Sequence, residues 1–312
     1  MISVIIPVYG VEKYIERCAR SVLGQTYKDV EYIFVNDCTE DCSMDILKTI
    51  INEYPSRNIT IINKEKNEGL PQARKTGLLA SHGEFVIHFD SDDWVAPDCL
   101  EKMYAAAISY NADIVVADYY ENYANQQLLI QCPKISSASD AINQMLRTQL
   151  HSGVWNKLVK REMYDKVVFP IANMHEDLVI MIQVFANAKN ILNIKNAFYH
   201  YNLNNISSLT NKELTIKRTE DTYDNLKRIE LFLTEKNMMD NMVAFSNFVN
   251  TFKGTMMLKK QIRRVDWLNS LYGSSRNYVF SECKLICWKK IMLWMAFHGV
   301  YFPYKIIDFL RD

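Results

Sequence analysis

The first 120 residues alternate short runs of β-branched and apolar residues with amphipathic segments of helical length. The candidate strands are Ser3–Val8, Val30–Val35, Ile59–Ile62, Phe85–Phe89 and Ile114–Ala117. Strands that alternate with helices in this way form a largely parallel sheet with helices on both faces. The sequence therefore predicts an α/β fold. Its ligand site should lie outside the carboxyl ends of the strands, in the loops that follow Val8, Val35 and Phe89.

The rest of the chain has a different pattern. An Asn/Gln-rich patch at Asn122–Gln127 is less regular, and a helix at about Glu176–Lys189 precedes the strand-like Ile191–Tyr201. Beyond Asn211, long amphipathic stretches rich in Met, Phe and Trp predict helices. The predicted domains are residues 1–210, with a nucleotide-binding half at 1–120 and an acceptor half at 121–210, and a helical C-terminal region at 211–312.

Charge and composition narrow the class of protein. Lysine and arginine total 36, as do aspartate and glutamate, so the overall charge gives no argument for a nucleic-acid partner. The seven cysteines are odd in number and scattered, which favours free buried thiols. The segment Met1–Val8 lacks the basic start and cleavage site of a secretory signal and is typical of a buried strand, so we expect a cytoplasmic protein.

An acidic cluster directly follows the fourth candidate strand. Asp90, Asp92 and Asp93 place three carboxylates within four positions. Such groups repel one another unless a cation lies among them, and hard divalent ions prefer oxygen ligands. The cluster predicts a bound Mn²⁺ or Mg²⁺. The alternative, that Asp92 or Asp93 caps the next helix, explains one carboxylate and not three.

Two further loops carry candidate nucleotide ligands. Asp37 follows the second strand, where a parallel-sheet site reads the base or ribose, although the same residues are common in an Asx-type turn. Arg74 stands near the start of a helix after Gly69, where a guanidinium and free helix N–H groups favour a pyrophosphate. An exposed surface arginine is the competing interpretation for Arg74.

In order and spacing, these motifs resemble those of the family 2 glycosyltransferases, which have the GT-A fold. The matching segments are Ser3–Tyr9, Ser21–Thr26, Val35–Asp37, Asn67–Arg74 and Phe89–Asp93, with weaker continuation through Trp155–Lys157 and His175–Asp177. Five motifs in register are hard to obtain by chance. The resemblance implies transfer of a sugar from a nucleotide-diphosphate sugar, by default a UDP-sugar, to a saccharide or lipid-linked acceptor hydroxyl. It also implies inversion at the sugar and a role in surface polysaccharide biosynthesis.

The resemblance assigns roles to residues on the nucleotide side. It implies that Pro7, Tyr9 and Asp37 hold the base and ribose, and that Arg74 lies near the nucleotide. Asp90 resembles the ribose-side member of the DxD pair.

The resemblance also implies a metal ligand and a catalytic base. Asp92 resembles the direct ligand of Mn²⁺ or Mg²⁺, with Asp90 beside it, and Asp177 resembles the base that deprotonates the acceptor hydroxyl. His200 is a further candidate ligand, because a histidine completes the metal site in some related enzymes. Its aromatic strand favours a packed histidine instead.

On the acceptor side, Trp155 and Lys157 resemble a family segment, although a core tryptophan beside a solvated lysine would look the same.

Two other functions stay open. A catalytically silent relative would bind a sugar nucleotide or serve as an assembly partner, which the joint presence of Asp90, Asp92 and Asp177 argues against. A sugar nucleotidyltransferase is expected to have a glycine-rich basic loop after the first strand, and this chain lacks one.

The C-terminal region is basic and aromatic. Residues Lys253–Lys290 contain nine basic and two acidic side chains, and Ile291–Tyr304 is free of charged residues over 14 positions. That run is shorter than the ~20 residues of a spanning helix. Two interpretations remain open: peripheral contact with an anionic membrane, at the inner face of the plasma membrane, or packing on the chain's own domain or on a second subunit of a homodimer.

Overall fold

The computed structural model describes residues 1–205 and 215–311. The chain divides into two compact units. The first comprises Met1–Ala138 and His151–Lys212, and the second comprises Ser139–Leu150 and Glu213–Asp312. The boundary predicted at 210/211 lies outside the described residues.

Residues 1–88 form the strands and helices that the alternating pattern predicts. In chain order these elements are β1 (Ile2–Val8), α1 (Ile15–Leu23), β2 (Val30–Asn36), α2 (Ser43–Ile51), β3 (Asn58–Asn63), α3 (Leu70–Leu79) and β4 (Phe85–His88). The four strands are parallel, in the order β3-β2-β1-β4. Every residue of β1 is buried, which explains why its sequence is apolar except at Ser3. Helix α3 packs close to β1 at Gly77, which has no side chain. A Cβ at this position would overlap Ile5.

The segment from Phe89 to Asn205 extends the same sheet. Its elements are β5 (Trp94–Val95), α4 (Cys99–Ser109), β6 (Ile114–Tyr123), β7 (Gln126–Ile130), α5 (Ala138–Leu146), β8 (Lys157–Lys160), α6 (Glu176–Asn187) and β9 (Ile191–Asn202). Among the described residues the sheet has nine strands; the order continues β4-β8-β6-β9-β5, and β7 pairs with β6. The β4–β8 and β6–β8 pairs are antiparallel, so the sheet is mixed.

The Asn/Gln-rich patch Asn122–Gln127 is not an irregular passage. It forms the turn of a hairpin, in which Tyr123 of β6 pairs with Gln126 of β7. Strand β7 is mostly exposed, and its sequence lacks the alternation of apolar and polar residues that would mark it as a strand.

The second unit is helical, as the amphipathic pattern predicts. It contains α7 (Ile216–Glu235), α8 (Met239–Met257), α9 (Trp267–Ser270), α10 (Cys287–Phe297) and α11 (Phe302–Arg311). Most of α5 belongs to it as well, because Asn241 and Asn247 donate hydrogen bonds to the carbonyl oxygens of Ser139 and Leu146. No helix within 1–205 or 215–311 is long and apolar enough to cross a membrane.

All seven cysteines lie in described residues and are free thiols, as expected. Burial was expected of all of them but holds for only four: Cys18, Cys99, Cys132 and Cys283. Cys42 and Cys287 are exposed.

Candidate active site

Asp93 ties the acidic turn, defined as Asp90–Asp93, to strand β9. Its buried carboxylate accepts hydrogen bonds from the Tyr199 hydroxyl and, at 2.7 Å, from the backbone N–H of Asn202. Burial, followed by the charges of the two neighbouring aspartates, raises the pKa of Asp93 well above its ordinary value. The alternative of a helix cap is wrong for this residue, because α4 begins only at Cys99.

Asp92, the middle acid of the turn, is partly buried. Its Oδ2 accepts a hydrogen bond from Asn205 Nδ2 at 2.7 Å. Arg17 donates to the Asp92 carbonyl oxygen at 3.1 Å and lies over the Trp94 ring, which fixes the backbone here. Burial, and then the charge of Asp90, raises the pKa of Asp92. Its ionised form is therefore destabilised until a cation compensates it.

Asp92 and Asp90 are the carboxylates that could hold a divalent ion here, together with ligands from a substrate. Among residues 1–205 and 215–311, no group of three or more His, Cys, Asp or Glu side chains is arranged to hold a metal by itself. Mg²⁺ commonly takes one or two carboxylates, and its other ligands are phosphate oxygens and water. Asp92 and Asp90 would be the protein's share of such a site, and the raised pKa of Asp92 is the observation that fits it.

His200 lies in an aromatic stack. Its ring centroid is 4.9 Å from those of both Trp94 and Tyr120, with interplanar angles of 8° and 19°. Burial, and then Arg17, lowers the pKa of His200. These are the contacts of a packed histidine, and its part as a metal ligand stays a prediction.

Arg74 joins the acidic turn to the start of α6. It is buried, and its Nη2 and Nε contact Asp90 Oδ1 at 2.7 Å and Glu176 Oε1 at 3.1 Å. The surface-arginine interpretation is therefore wrong. Burial raises the pKa of Glu176 to about 7 although Arg74 opposes the shift. Within the described chain, Arg74 Nη1 and Glu176 Oε2 have no hydrogen-bond partner.

Glu176 was missed in the sequence although it stands in the family-like His175–Asp177 segment. The proposed base, Asp177, follows it in the first turn of α6, where the helix dipole favours a negative charge. Asp177 is half-buried, and its Oδ2 accepts a hydrogen bond from Ser152 Oγ at 2.9 Å.

Lys157 supports the loop that carries Ser152. Its fully buried Nζ donates to the carbonyl oxygens of His151 and Gly153, at 2.9 and 2.6 Å, and to Asn156 Oδ1 at 2.7 Å. Burial lowers its pKa to about 8. The interpretation of Lys157 as a solvated lysine is wrong, because its ammonium replaces solvent with three protein oxygens.

Trp155 is a core residue beside this loop. It is buried, and its ring stacks on Tyr199 at 4.4 Å and on Tyr201 at 5.4 Å. This is the core alternative that its sequence left open. A direct part for Trp155 or Lys157 in acceptor binding stays a prediction.

Asp37, directly after β2, binds the loop between β3 and α3. Its buried carboxylate accepts hydrogen bonds from the backbone N–H groups of Glu68 and Gly69, at 3.0 and 2.8 Å, and pairs with Lys64 at 2.9 Å. Gly69 has φ +89°, a conformation that strains any residue with a side chain, and a Cβ there would lie 2.6 Å from Asn173 Oδ1.

Strand β1 ends beside Asp37. Pro7 is buried within the strand, whereas Tyr9 directly follows it and is 53% exposed. The Asp37 backbone N–H donates to the Val8 carbonyl oxygen at 3.1 Å. The carboxyl ends of β1 and β2 therefore bring Tyr9 and Asp37 to one edge of the sheet, as predicted.

Comparisons with known proteins agree on one family. The sequence matches the family described as "Glycosyl transferase family 2" over residues 3–174. It is 30% identical to glycosyltransferase GlyA of Streptococcus pneumoniae serotype 4 over 214 residues, which are 65% of this chain and 30% of that protein. The chain therefore spans less than a third of the length of GlyA.

Two further proteins extend the comparison. The putative teichuronic acid biosynthesis glycosyltransferase TuaG of Bacillus subtilis is 26% identical over 235 residues, 73% of this chain and 89% of that protein. The crystal structure of S. aureus TarS 1-349 in complex with UDP-GlcNAc superposes with a TM-score of 0.76 at 17% identity. It covers 98% of this chain and 90% of that one. This likeness confirms the predicted α/β, GT-A type of fold.

Proposed function

Because the chain belongs to glycosyl transferase family 2, we propose that it transfers a sugar from a nucleotide-diphosphate sugar to an acceptor hydroxyl with inversion. A UDP-sugar is the proposed donor, which is supported by the UDP-GlcNAc bound to TarS. A saccharide or lipid-linked acceptor in surface polysaccharide biosynthesis is supported by the naming of TuaG for teichuronic acid biosynthesis.

The Arg74 bridge is the observation that carries this proposal. It connects Asp90, in the acidic turn, to Glu176, the neighbour of Asp177, by two contacts of 2.7 and 3.1 Å. Asp90 and the first turn of α6, which carries the proposed base Asp177, are thereby held together. Such rigid placement of reacting groups is what a displacement between two substrates requires.

In the proposed reaction, Asp177 accepts the proton of the acceptor hydroxyl. A sugar hydroxyl is a poor nucleophile at neutral pH, so its oxygen attacks the anomeric carbon as the proton passes to a carboxylate. The bond between that carbon and the nucleotide diphosphate breaks in the same step, which inverts the anomeric centre. A divalent ion bound by Asp92 and Asp90 would stabilise the charge of the leaving diphosphate.

The first test is a screen of nucleotide sugars that measures nucleotide diphosphate release with and without Mn²⁺. We expect Asp177→Asn to lower turnover by about 10² to 10⁴ while donor affinity stays nearly unchanged, because the base acts only in the chemical step. Asp165→Asn, at an exposed position before α6, is the control and should keep wild-type turnover. Parallel loss of donor affinity and turnover in Asp177→Asn would assign Asp177 to the donor site.

The second test separates the acidic turn from the base. Asp92→Asn should weaken Mn²⁺ binding and turnover together, whereas Asp98→Asn, which removes an acid five to eight positions after the turn, should change neither. Wild-type metal affinity and turnover in Asp92→Asn would refute the metal assignment. A wild-type chain that binds nucleotide sugars but turns over none of them would be a silent relative.

A further inference from the structure

Helix α10 in the second unit is apolar on two faces. Leu293 and Ala296 are buried on its inner face. Trp288, Ile291 and Trp294 recur every third residue on the outer face and are 46, 51 and 43% exposed. A surface helix of a globular protein normally places polar residues outward. The outer face of α10 therefore has the composition of a contact surface.

Helix α11 repeats this arrangement. Its inner face is fixed by buried Tyr304 and by Asp308, whose two carboxylate oxygens lie 2.7 and 2.8 Å from the Arg263 guanidinium. Its exposed apolar residues are Phe302, Ile306, Phe309 and Leu310, and the last two are 83 and 75% exposed. Large side chains this exposed are typical of interaction sites.

The Asp, Glu, Lys and Arg residues in the sequence that carries these apolar side chains have mostly one sign. From Cys283 to Ile307 the sequence contains no aspartate or glutamate. The same stretch contains four lysines: Lys284, Lys289, Lys290 and Lys305. Asp308, the first acid beyond it, is already paired with Arg263. The local charge is therefore positive and lacks acidic neighbours in sequence.

Lys284 and Lys290 donate hydrogen bonds to Thr148 and to the Phe280 carbonyl oxygen, which leaves Lys289 and Lys305 for a ligand. We propose that α10 and α11 attach the chain to an anionic lipid bilayer through a docking face, defined as Trp288, Ile291, Trp294, Phe302, Ile306, Phe309 and Leu310 with Lys289 and Lys305. Aromatic and aliphatic side chains enter the headgroup region, and lysines pair with lipid phosphates. A second copy fits less well, because a two-fold interface brings the same lysines together without acids to pair them. This attachment goes beyond the proposed sugar transfer and does not depend on it.

The test measures co-sedimentation of the full chain with vesicles of phosphatidylcholine alone or mixed with phosphatidylglycerol. We expect binding to the anionic vesicles only, and weaker binding as salt rises. Lys289→Gln with Lys305→Gln should lower the partition coefficient about 25-fold, or about 5-fold for each lysine. The matched control, Lys48→Gln with Lys102→Gln, removes two lysines from helices of the first unit and should bind as the wild type does.

A second variant tests the apolar contribution. Phe309→Ser with Leu310→Ser changes two side chains that are mostly exposed, so the fold should persist, as circular dichroism would verify. We expect partitioning to fall at least about 10-fold. No binding to anionic vesicles at low salt would overturn the proposal, as would equal binding to neutral vesicles. A wild-type dimer that dissociates in this variant without any vesicle binding would assign the face to a second copy.

Discussion

Replacing Glu176 by glutamine should remove a pH-dependent cost of folding. Burial raises the pKa of Glu176 from 4.5 to about 7. Between these values the folded chain holds a proton that the unfolded chain has released, so stability falls as pH rises through this window. A shift of about 2.5 units at 1.36 kcal/mol each amounts to about 3 kcal/mol. Glutamine resembles the protonated acid and cannot ionise, so the variant should escape this loss.

The assay is urea unfolding of wild type and Glu176→Gln at a series of pH values from 4.5 to 8.5, with chelator present to exclude divalent ions. The unfolding free energy of the variant minus that of the wild type should rise by about 3 kcal/mol between pH 4.5 and pH 7. Above pH 7 this difference should stay constant. Glu162→Gln, at an exposed glutamate, controls for the substitution itself. A difference that does not change with pH would refute the reasoning, because it would mean that the Arg74 charge outweighs burial.

Lys157→Met should lower the unfolding free energy by about 2 to 4 kcal/mol, since three buried oxygens lose their donor, and should lower turnover because the Ser152 loop loses its support. Denaturant unfolding of this variant checks the prediction. The control is Lys160→Met, which removes a partly exposed ion pair and should change the unfolding free energy little. Gly69→Ala should weaken donor binding measured by calorimetry, because its φ of +89° and the contact with Asn173 exclude a side chain. Gly273→Ala, where a Cβ meets nothing within 4 Å, should bind donor normally, and equal affinity of the two variants would contradict the argument.

Strands β1, β2 and β4 could be predicted because each is a short, largely apolar run that the sheet buries. Strand β1, buried at every position, is the clearest case. The hairpin at Asn122–Gln127 could not be recognised, since exposed edge residues carry no apolar alternation. Tertiary pairing with β6, and not local sequence, makes β7 a strand.

The candidate site, like the fold, could be predicted only in part from the sequence. Motif spacing identified Asp37, Arg74 and the acidic turn as one group, and the sheet does bring Arg74 to Asp90. The sequence could not distinguish a buried bridging arginine from an exposed one, because its second partner, Glu176, lies 102 residues away. The burial of Lys157 was hidden for a related reason: its partners are mainly backbone carbonyl groups, which no residue type reveals.

The link between Asp93 and β9 has a consequence for the order of events during synthesis. Tyr199 lies 106 residues after Asp93 in the chain. At a translation rate of about 5 to 20 residues per second, this partner leaves the ribosome about 5 to 20 seconds later. Strands β1 to β4 can pair during that interval, but the Asp93 carboxylate has no Tyr199 to bond. A nascent chain that ends before β9 should therefore contain a parallel sheet in which the Asp93 carboxylate is still hydrated.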